Sequence, residues 1–204
     1  MPTNYSPLPL WNGNLLCAVD IETSGTNVET HEVVQLAIVP LNFDYTPLKT
    51  IKPFNKLICP VGDLDPGSTK VHGLTSEMLS LAPPKERVID RLLDWVNSLE
   101  LVFDRRLIIL AHNSSFEIKW VNRFLGLPLY EKIFNAATRD SMTLALGIND
   151  IAAHRGRKPP FEKVSLPWLC NHFGIVNPKA HDAYYDAVAC AAVYKKLLET
   201  DVLL

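Results

Sequence analysis

The sequence predicts a single α/β domain in which helices flank a mixed central β-sheet. Three observations lead to this fold class. The first 60 residues hold three strand-like runs joined by short turns, as in a meander. From residue 76 onwards, helical patterns alternate with short apolar runs. The length of 204 residues is enough for one substantial hydrophobic core and is short for two.

The N-terminal third of the chain is predicted to be extended and rich in strands. Residues 1–13 are rich in proline and predict an extended arm, so the single domain is expected to cover 14–204. Apolar and β-branched residues favour three strands, and glycine and proline predict a loop at 60–70. The strands are expected at 15–21, at 33–41 and between residues 50 and 59.

The remaining chain is predicted to alternate between helices and short strands. The pentapeptide LIILA at 107–111 has no polar residue, as in a strand buried on both faces. Asn113 is a favourable N-cap for the next helix, which Gly126 and Pro128 are expected to end. A loop or insertion with a basic tip is expected at 147–163. Helices are expected at 76–81, 85–99, 114–125, 141–146, 165–173 and 182–199, with a further strand or short element at 133–139.

Composition and charge exclude several classes of protein. With 20 basic and 22 acidic side chains, the chain has no overall basic field to attract nucleic acid. The four cysteines are scattered without a CxxC pair, which argues against a zinc site and against a disulfide framework. The N-terminus does not resemble a signal peptide, and no apolar run approaches the ~20 residues of a membrane helix. We therefore expect a soluble, cytoplasmic protein; its oligomeric state is not predicted.

Four carboxylates stand in apolar settings. Asp20 and Glu22 are expected on one face of the first strand, because residues two apart in a strand point the same way. Glu117 and Asp186 each begin the apolar stripe of an amphipathic helix. Taken singly, each acid has a simpler explanation. Asp20 and Glu22 could lie at a strand end in contact with water, and Glu117 and Asp186 could be acids that the helix dipole favours in the first turn.

Taken together, the four acids predict a site for divalent cations. Buried carboxylates need partners, and the sequence offers no obvious set of buried lysines or arginines. Oxygen-only ligands are those that Mg²⁺ or Mn²⁺ prefers. His181 precedes Asp186 by five residues, and a lone histidine is usually a surface or capping residue. Beside a metal cluster, however, it could accept a proton from a metal-bound water near neutral pH.

Four segments resemble the motifs of the DEDD superfamily of 3′→5′ exonucleases, in its histidine subgroup (DEDDh). They stand in family order as VDIETSG at 19–25, VHGLTSEM at 71–78, AHNSSFE at 111–117 and HDAYYDA at 181–187. The resemblance covers nearly the whole chain and implies a ribonuclease H-like fold. It also implies a relation to the proofreading exonucleases of replicative polymerases, so a polymerase is a candidate partner.

The resemblance implies a metal-dependent 3′→5′ exonuclease that acts on the 3′ ends of single-stranded DNA or RNA and releases nucleoside 5′-monophosphates. Two Mg²⁺ or Mn²⁺ ions would lie around the scissile phosphate. One ion and His181, as general base, would generate the attacking hydroxide, and the other ion would stabilise the leaving 3′ oxygen. The implied metal ligands are Asp20, Glu22, Glu117 and Asp186.

The family also implies contacts to the terminal nucleotide, for which a turn, a helix cap or core packing is the alternative interpretation. These residues are Thr23, Ser24, His72, Leu74, Asn113 and Phe116. The sequence does not decide between DNA and RNA, because that choice depends on how the pocket treats the 2′-hydroxyl.

One departure from the family pattern concerns Glu117, because the second motif normally ends in aspartate. The extra methylene lengthens the side chain by about 1.5 Å. Three outcomes are open: a helix that lies slightly farther back, a glutamate that binds through another rotamer or a water, or a second metal that is held more weakly. We favour an active enzyme; the alternative is a nucleic-acid- or polymerase-binding module with weakened catalysis.

Two further features are hypotheses for nucleic-acid contact. Arg155, Arg157, Lys158 and Lys163 form a basic cluster that could contact substrate phosphates, or could simply be a solvated loop. Trp11 could stack on a base, although a tryptophan in such an arm more often docks on its own domain.

Overall fold

The computed structural model describes residues 8–100 and 105–200. Within these residues, a six-stranded mixed β-sheet lies between two groups of helices, and the predicted fold class is confirmed. The strands are β1 (Leu10–Trp11), β2 (Asn14–Thr23), β3 (Val33–Pro40), β4 (Phe54–Leu57), β5 (Leu107–Ala111) and β6 (Arg139–Asp140). Their order across the sheet is β4-β3-β2-β5-β6, and β1 pairs with β2.

The helices follow the apolar periodicity of the sequence, and four of the eight described helices begin with a side-chain cap. Asp65, Thr75, Asp140 and Asp182 each accept a hydrogen bond from a backbone N–H in the first turn of the helix that follows. The helices are α1 (Pro66–His72), α2 (Ser76–Ser80), α3 (Lys85–Ser98), α4 (Ser114–Leu125), α5 (Leu127–Ile133), α6 (Ser141–His154), α7 (Leu166–Phe173) and α8 (Ala183–Leu198).

Alternate side chains of β2 enter two separate cores. The odd-numbered residues 15–21 pack with residues of α3, α4 and α5 on one face of the sheet. Leu16 and Ala18 pack with residues of α6, α7 and α8 on the other face. Because residues two apart in a strand share a face, Asp20 and Glu22 continue the row of Leu16 and Ala18. The two acids therefore stand on the face that α8 covers.

β2 is longer than its parallel neighbour, and this difference creates space at one end of the sheet. β2 pairs with antiparallel β3 along residues 17–23, but with parallel β5 only along residues 15–18. The segment that carries Asp20 and Glu22 therefore extends beyond the end of β5. The chain leaves β5 at Ala111 and begins α4 at Ser114, so the N-terminus of α4 lies beside this segment.

The N-terminal arm differs in part from the prediction. Residues 1–7 of the expected arm lie outside the described residues, but Leu10 and Trp11 form β1 and join the sheet by pairing with Leu15 and Asn14. Asn12 and Gly13 have φ values of 50° and 84°, so they form a tight hairpin turn of the kind that Asn-Gly favours. Trp11 packs on Phe43, with ring centroids 4.8 Å apart, as expected for docking on its own domain.

The predicted loop at 60–70 and the predicted loop or insertion at 147–163 are each wrong in part. α1 begins at Pro66, because Asp65 accepts from Gly67 N and the proline occupies the first turn, where its missing N–H costs nothing. α6 continues to His154, because Ile148 and Ala152 both face the core one helical turn apart.

The segment after α4 also departs from the prediction. Gly126 ends α4 as expected, but Pro128 lies in the first turn of α5 and does not terminate structure. Of the element expected at 133–139, only Arg139 belongs to a strand, which is β6.

All four cysteines are free, in agreement with the absence of a disulfide framework; three are buried and Cys59 is half-buried. Among the residues that the structure describes, no helix has both the length and the apolar character that crossing a membrane requires.

Candidate active site

Three carboxylates from β2 and α8 meet at the open end of the sheet. Asp20, Glu22 and Asp186 each contribute one carboxylate oxygen to a group whose members all lie within 4.8 Å of one another. All three side chains are half-buried. The structure therefore brings together residues that are more than 160 positions apart in the sequence.

Burial raises the pKa values of all three carboxylates in this cluster, and the charges of neighbouring acids raise them further. Burial, followed by the charges of Glu117, Glu22 and Asp186, raises the pKa of Asp20 well above its usual range. Burial and then the charge of Asp186 raise the pKa of Glu22 to about 8. Burial also raises the pKa of Asp186, against the opposing effect of hydrogen bonds from Asn177 and His181.

Glu117 is the fourth acid, and it is the most buried of the four. It lies one turn into α4, its residue is only 4% exposed, and its Oε2 has no hydrogen-bond partner among the described residues. Burial raises its pKa well above the usual range, and it is close enough to raise the pKa of Asp20 by its charge. A buried carboxylate oxygen without a partner is costly, so this atom requires either a proton or a cation.

The donor set fits divalent cations that prefer oxygen. Within the described residues, the lysines and arginines in ion pairs contact other acids, namely Glu29, Asp44, Asp182 and Glu199. The four acids of the cluster thus have no basic side chain in an ion pair with them. Carboxylate oxygens alone, with no sulfur or imidazole in the group, are the ligands that Mg²⁺ and Mn²⁺ favour.

The segment that precedes α8 carries His181 and is tied to the cluster through Asp186. The backbone N–H of His181 donates to Asp186 Oδ2 at 2.9 Å, and Asn177 Nδ2 donates to Asp186 Oδ1. His181 has φ 64°, a left-handed conformation that is unusual for a residue with a side chain. Its imidazole is exposed, and its charge is near enough to affect the pKa of Asp186.

Gln35 of β3 fixes the start of α8 beside the cluster. It pairs with Glu22 across the sheet and is 4% exposed. Its Oε1 accepts from Ala183 N at 3.2 Å, and its Nε2 donates to Asn55 Oδ1 at 3.1 Å. Sequence analysis did not identify Gln35, because no local pattern marks a hydrogen bond across 148 residues.

A cavity of about 290 Å³ adjoins the acids and contains three of the six residues that the family resemblance implies for substrate contact. Glu22, Thr23, His72 and Phe116 line it, together with residues of α1. His72 Nδ1 accepts from Leu74 N at 3.0 Å, which places the ring proton on Nε2, and Nε2 has no hydrogen-bond partner among the described residues. Burial lowers the pKa of His72, so the neutral ring is favoured.

The other three residues do not line this cavity. Ser24 is 1% exposed, and its Oγ accepts from Glu32 N at 2.9 Å. Leu74 packs in a small core with Val34 and Leu79. Asn113 stands at the N-cap position of α4, but its side chain makes no capping hydrogen bond, contrary to the prediction.

Gly25, the last residue of the first motif, lies directly against the ring of His31. A Cβ atom built on Gly25 would lie 2.2 Å from Cδ2 of His31, which is closer than any real contact. The His31 ring therefore occupies the space where any other residue would place its side chain.

Asp140 caps α4 in place of Asn113, and sequence analysis missed it. Its Oδ2 accepts from Ser114 N at 2.7 Å, and it also caps α6. The sequence does mark Asp140 as a candidate N-cap of the helix that begins at Ser141, but it does not reveal the contact with α4.

The basic cluster is divided between two places. Arg155, Arg157, Lys158 and Lys163 are all exposed. The first three directly follow the C-terminal end of α6, whereas Lys163 precedes Val164, whose backbone forms a hydrogen bond with His112 next to α4. Because α6 begins next to Asp140 and has 14 residues, its far end is about 20 Å from the acids' end of the helix. A role of this cluster in substrate binding stays a prediction.

Residues 17–194 match the sequence model of the exonuclease family RNase_T. The chain belongs to this family. It is 30% identical over 191 residues to DNA polymerase III subunit epsilon of Haemophilus influenzae, which covers 90% of the chain and 67% of that subunit. It is 27% identical over 183 residues to the PolC-type DNA polymerase III of Listeria welshimeri, covering 90% of the chain and 11% of the polymerase.

The fold is also that of a solved exonuclease. The nuclease domain of 3′hExo, a DEDDh family member bound to rAMP, superposes with a TM-score of 0.64 at 18% identity and covers 94% of each chain. The predicted ribonuclease H-like fold and the resemblance to DEDDh exonucleases are therefore confirmed. The chain spans only part of the length of its polymerase relatives, 67% of the subunit and 11% of the polymerase.

Proposed function

We propose that this protein is a metal-dependent 3′→5′ exonuclease that removes nucleoside 5′-monophosphates from the 3′ end of single-stranded DNA or RNA. The observation that carries the proposal is the convergence of three carboxylates within 4.8 Å, with the buried Glu117 near Asp20. Among the described residues, no basic side chain forms an ion pair with any of the four. Membership of an exonuclease family supports the same activity.

The four acids would hold two Mg²⁺ or Mn²⁺ ions against the scissile phosphate. Such ions, when bound, lower the pKa of a water and neutralise charge on the phosphate and on the leaving oxygen. Asp20 would be central to the site, because the charges of Glu117, Glu22 and Asp186 all raise its pKa. The raised pKa values mean that cations must compete with protons for these carboxylates.

His181 would take the proton from the attacking water. Its imidazole is exposed to solvent, and its backbone N–H donates to Asp186, so one hydrogen bond ties the histidine to this acid. Asn177 holds the other oxygen of Asp186, which fixes the segment from 177 to 181 against the cluster.

The cavity beside Glu22 would receive the terminal nucleoside. Phe116, which is 36% exposed, offers a ring face for base stacking, and His72 lines the same cavity. Base stacking does not distinguish a deoxyribose from a ribose, so both DNA and RNA are candidate substrates. The related 3′hExo domain was solved with rAMP, whereas the Haemophilus relative is a DNA polymerase subunit.

A gel assay tests the proposal directly. A 5′-labelled single-stranded oligonucleotide is incubated with the protein in Mg²⁺ or Mn²⁺, in matched DNA and RNA versions. We expect a ladder of products shortened from the 3′ end, which both EDTA and Asp20→Ala abolish. Retention of the oligonucleotide without shortening would instead support the binding-module alternative, in which Glu117 marks weakened catalysis.

A polymerase partner is a separate part of the proposal. The similarity to a DNA polymerase III subunit supports it. Co-purification with the replicative polymerase of the same organism tests it, and a purified polymerase that does not bind the chain would contradict it.

A further inference from the structure

Asp140 joins the N-terminal ends of two helices that start at the same end of the sheet. It is the last residue of β6 and pairs with Ala111, the last residue of β5. On α6, its Oδ1 accepts from Met142 N at 2.8 Å and from Thr143 N at 3.0 Å. These two bonds are an ordinary N-cap.

The same carboxylate also holds the start of α4. Oδ2 accepts from Ser114 N at 2.7 Å and from Ser114 Oγ at 3.0 Å, and Oδ1 accepts from Asn113 N at 3.2 Å. Asn113 has φ 74° and makes no side-chain capping bond of its own. The first turn of α4 is therefore fixed from outside the helix.

Glu117 depends on this arrangement, because it lies one turn beyond Ser114. Its carboxylate is buried, and its Oε2 has no hydrogen-bond partner among the described residues. The backbone of α4 therefore sets where the carboxylate stands relative to Asp20. In metal sites, groups that orient a ligand commonly matter almost as much as the ligand itself.

We propose that Asp140 is a positioning residue that holds Glu117 at the metal site by fixing the N-terminus of α4. The inference rests on the proposed function, since it assigns Glu117 to a bound ion. A purely structural cap would lower stability without a selective effect on one ion, so the two roles are separable. A second link joins the same two segments: His112 Nδ1, just before α4, lies 2.8 Å from Ser141 Oγ at the start of α6. Because neither atom belongs to Asp140, we expect this link to persist when Asp140 is changed.

The test measures Mn²⁺ binding to the protein in the absence of nucleic acid. Binding is measured by calorimetry and by the electron paramagnetic resonance signal of free Mn²⁺. Asp140→Asn keeps the shape of the side chain and loses its charge and one acceptor. We expect two ions to bind the wild-type protein, and the affinity for one of them to fall about tenfold in Asp140→Asn. The affinity for the other ion should change by less than about twofold, because Glu22 and Asp186 lie on β2 and α8 and not on α4.

A double-mutant cycle identifies the residue through which Asp140 acts. Glu117→Gln should weaken the same ion, and Asp140→Asn in the Glu117→Gln background should cause no further loss. Additive losses would overturn the proposal, as would a folded Asp140→Asn variant that binds both ions as the wild type does.

Two more variants complete the design. Asn149→Ala is the matched control. Asn149 lies on α6 and exchanges two hydrogen bonds with the backbone of Phe161, so the variant should lower stability without changing Mn²⁺ affinity.

Ser114→Ala replaces Asp140→Asn if that variant does not fold. It removes only the hydroxyl bond to Oδ2 and should lower the affinity for the same ion about threefold. Unchanged affinity in Ser114→Ala would overturn the inference. A wild-type protein that binds no Mn²⁺ would instead refute the proposed function.

Discussion

The side chain of Glu117 is one methylene longer than the aspartate usual at the end of the second motif. It is nevertheless buried, and its Oε2 has no hydrogen-bond partner in the part of the chain that the structure describes, so the longer side chain still points into the protein and not into water. Glu117 does not belong to the group of three carboxylates whose oxygens lie within 4.8 Å of one another. Its role as a fourth oxygen ligand is therefore a proposal that substitution can test.

Glu117→Asp tests whether the site is built around the longer side chain. We expect turnover with Mg²⁺ to be retained or to increase, because aspartate is the residue that the family uses. Steady-state rates on a labelled oligonucleotide, with Glu117→Gln as the control that removes the charge, measure the effect. A large loss in Glu117→Asp would show that the surrounding residues require glutamate.

His181→Ala separates catalysis from binding. We expect kcat to fall about 10²-fold or more, the usual contribution of a general base, with little change in KM. The backbone N–H that donates to Asp186 is kept in this variant, so the segment should keep its position. Undiminished turnover would exclude His181 as the general base.

At the scale of elements, the junction between β3 and α8 is held by Gln35. Its side chain accepts from Ala183 N, the first N–H of the helix that carries Asp186. Because the site is buried, loss of this acceptor leaves the N–H without a partner.

Gln35→Leu keeps the volume and removes the hydrogen bonds. We expect the free energy of unfolding to fall by about 1–3 kcal/mol, the cost of a buried unsatisfied polar group. Chemical denaturation measures this loss, and Gln35→Glu, which keeps an acceptor for Ala183 N, is the matched comparison. An unchanged midpoint in Gln35→Leu would show that α8 does not need this contact.

Local pattern was sufficient to predict the elements that carry the site. β5 and α4 have the predicted bounds because their signals are local: a wholly apolar pentapeptide, and an apolar stripe that ends at Gly126. The end of α6 was missed because a glycine and a basic tip interrupt a helix that the core stabilises through Ile148 and Ala152. Hydrogen bonds between distant segments, such as those of Gln35 and Asp140, have no local signature.

At the scale of the whole molecule, the acid cluster makes stability depend on pH and on cations. A carboxyl group whose pKa is raised in the folded state keeps its proton where the unfolded chain has lost it. The unfolded state then binds fewer protons, so stability falls as pH rises from the unfolded pKa through the folded one. For Glu22 this window runs from about 4.5 to about 8.

Thermal unfolding in EDTA should show this dependence. We expect the Tm to fall by roughly 5 °C between pH 5.5 and pH 8, which corresponds to about 2 kcal/mol for a chain of this size. Mg²⁺ or Mn²⁺ should raise the Tm, and the increase should be larger at pH 8, because cations bind the ionised carboxylates. Asp20→Asn is the control, since it should flatten the curve in EDTA. A Tm in EDTA that does not fall with pH would contradict the cluster's raised pKa values.

The contact between Gly25 and the His31 ring has a consequence for how the first motif is interpreted. Its acids serve the proposed chemistry, whereas its final glycine leaves room for the ring that packs against it. A relative that had lost both acids, and with them all nuclease activity, would still need a glycine there for as long as its histidine stayed in place. Glycine at this position therefore indicates a shared fold. The carboxylates, and not the glycine, indicate whether such a relative cleaves nucleic acid.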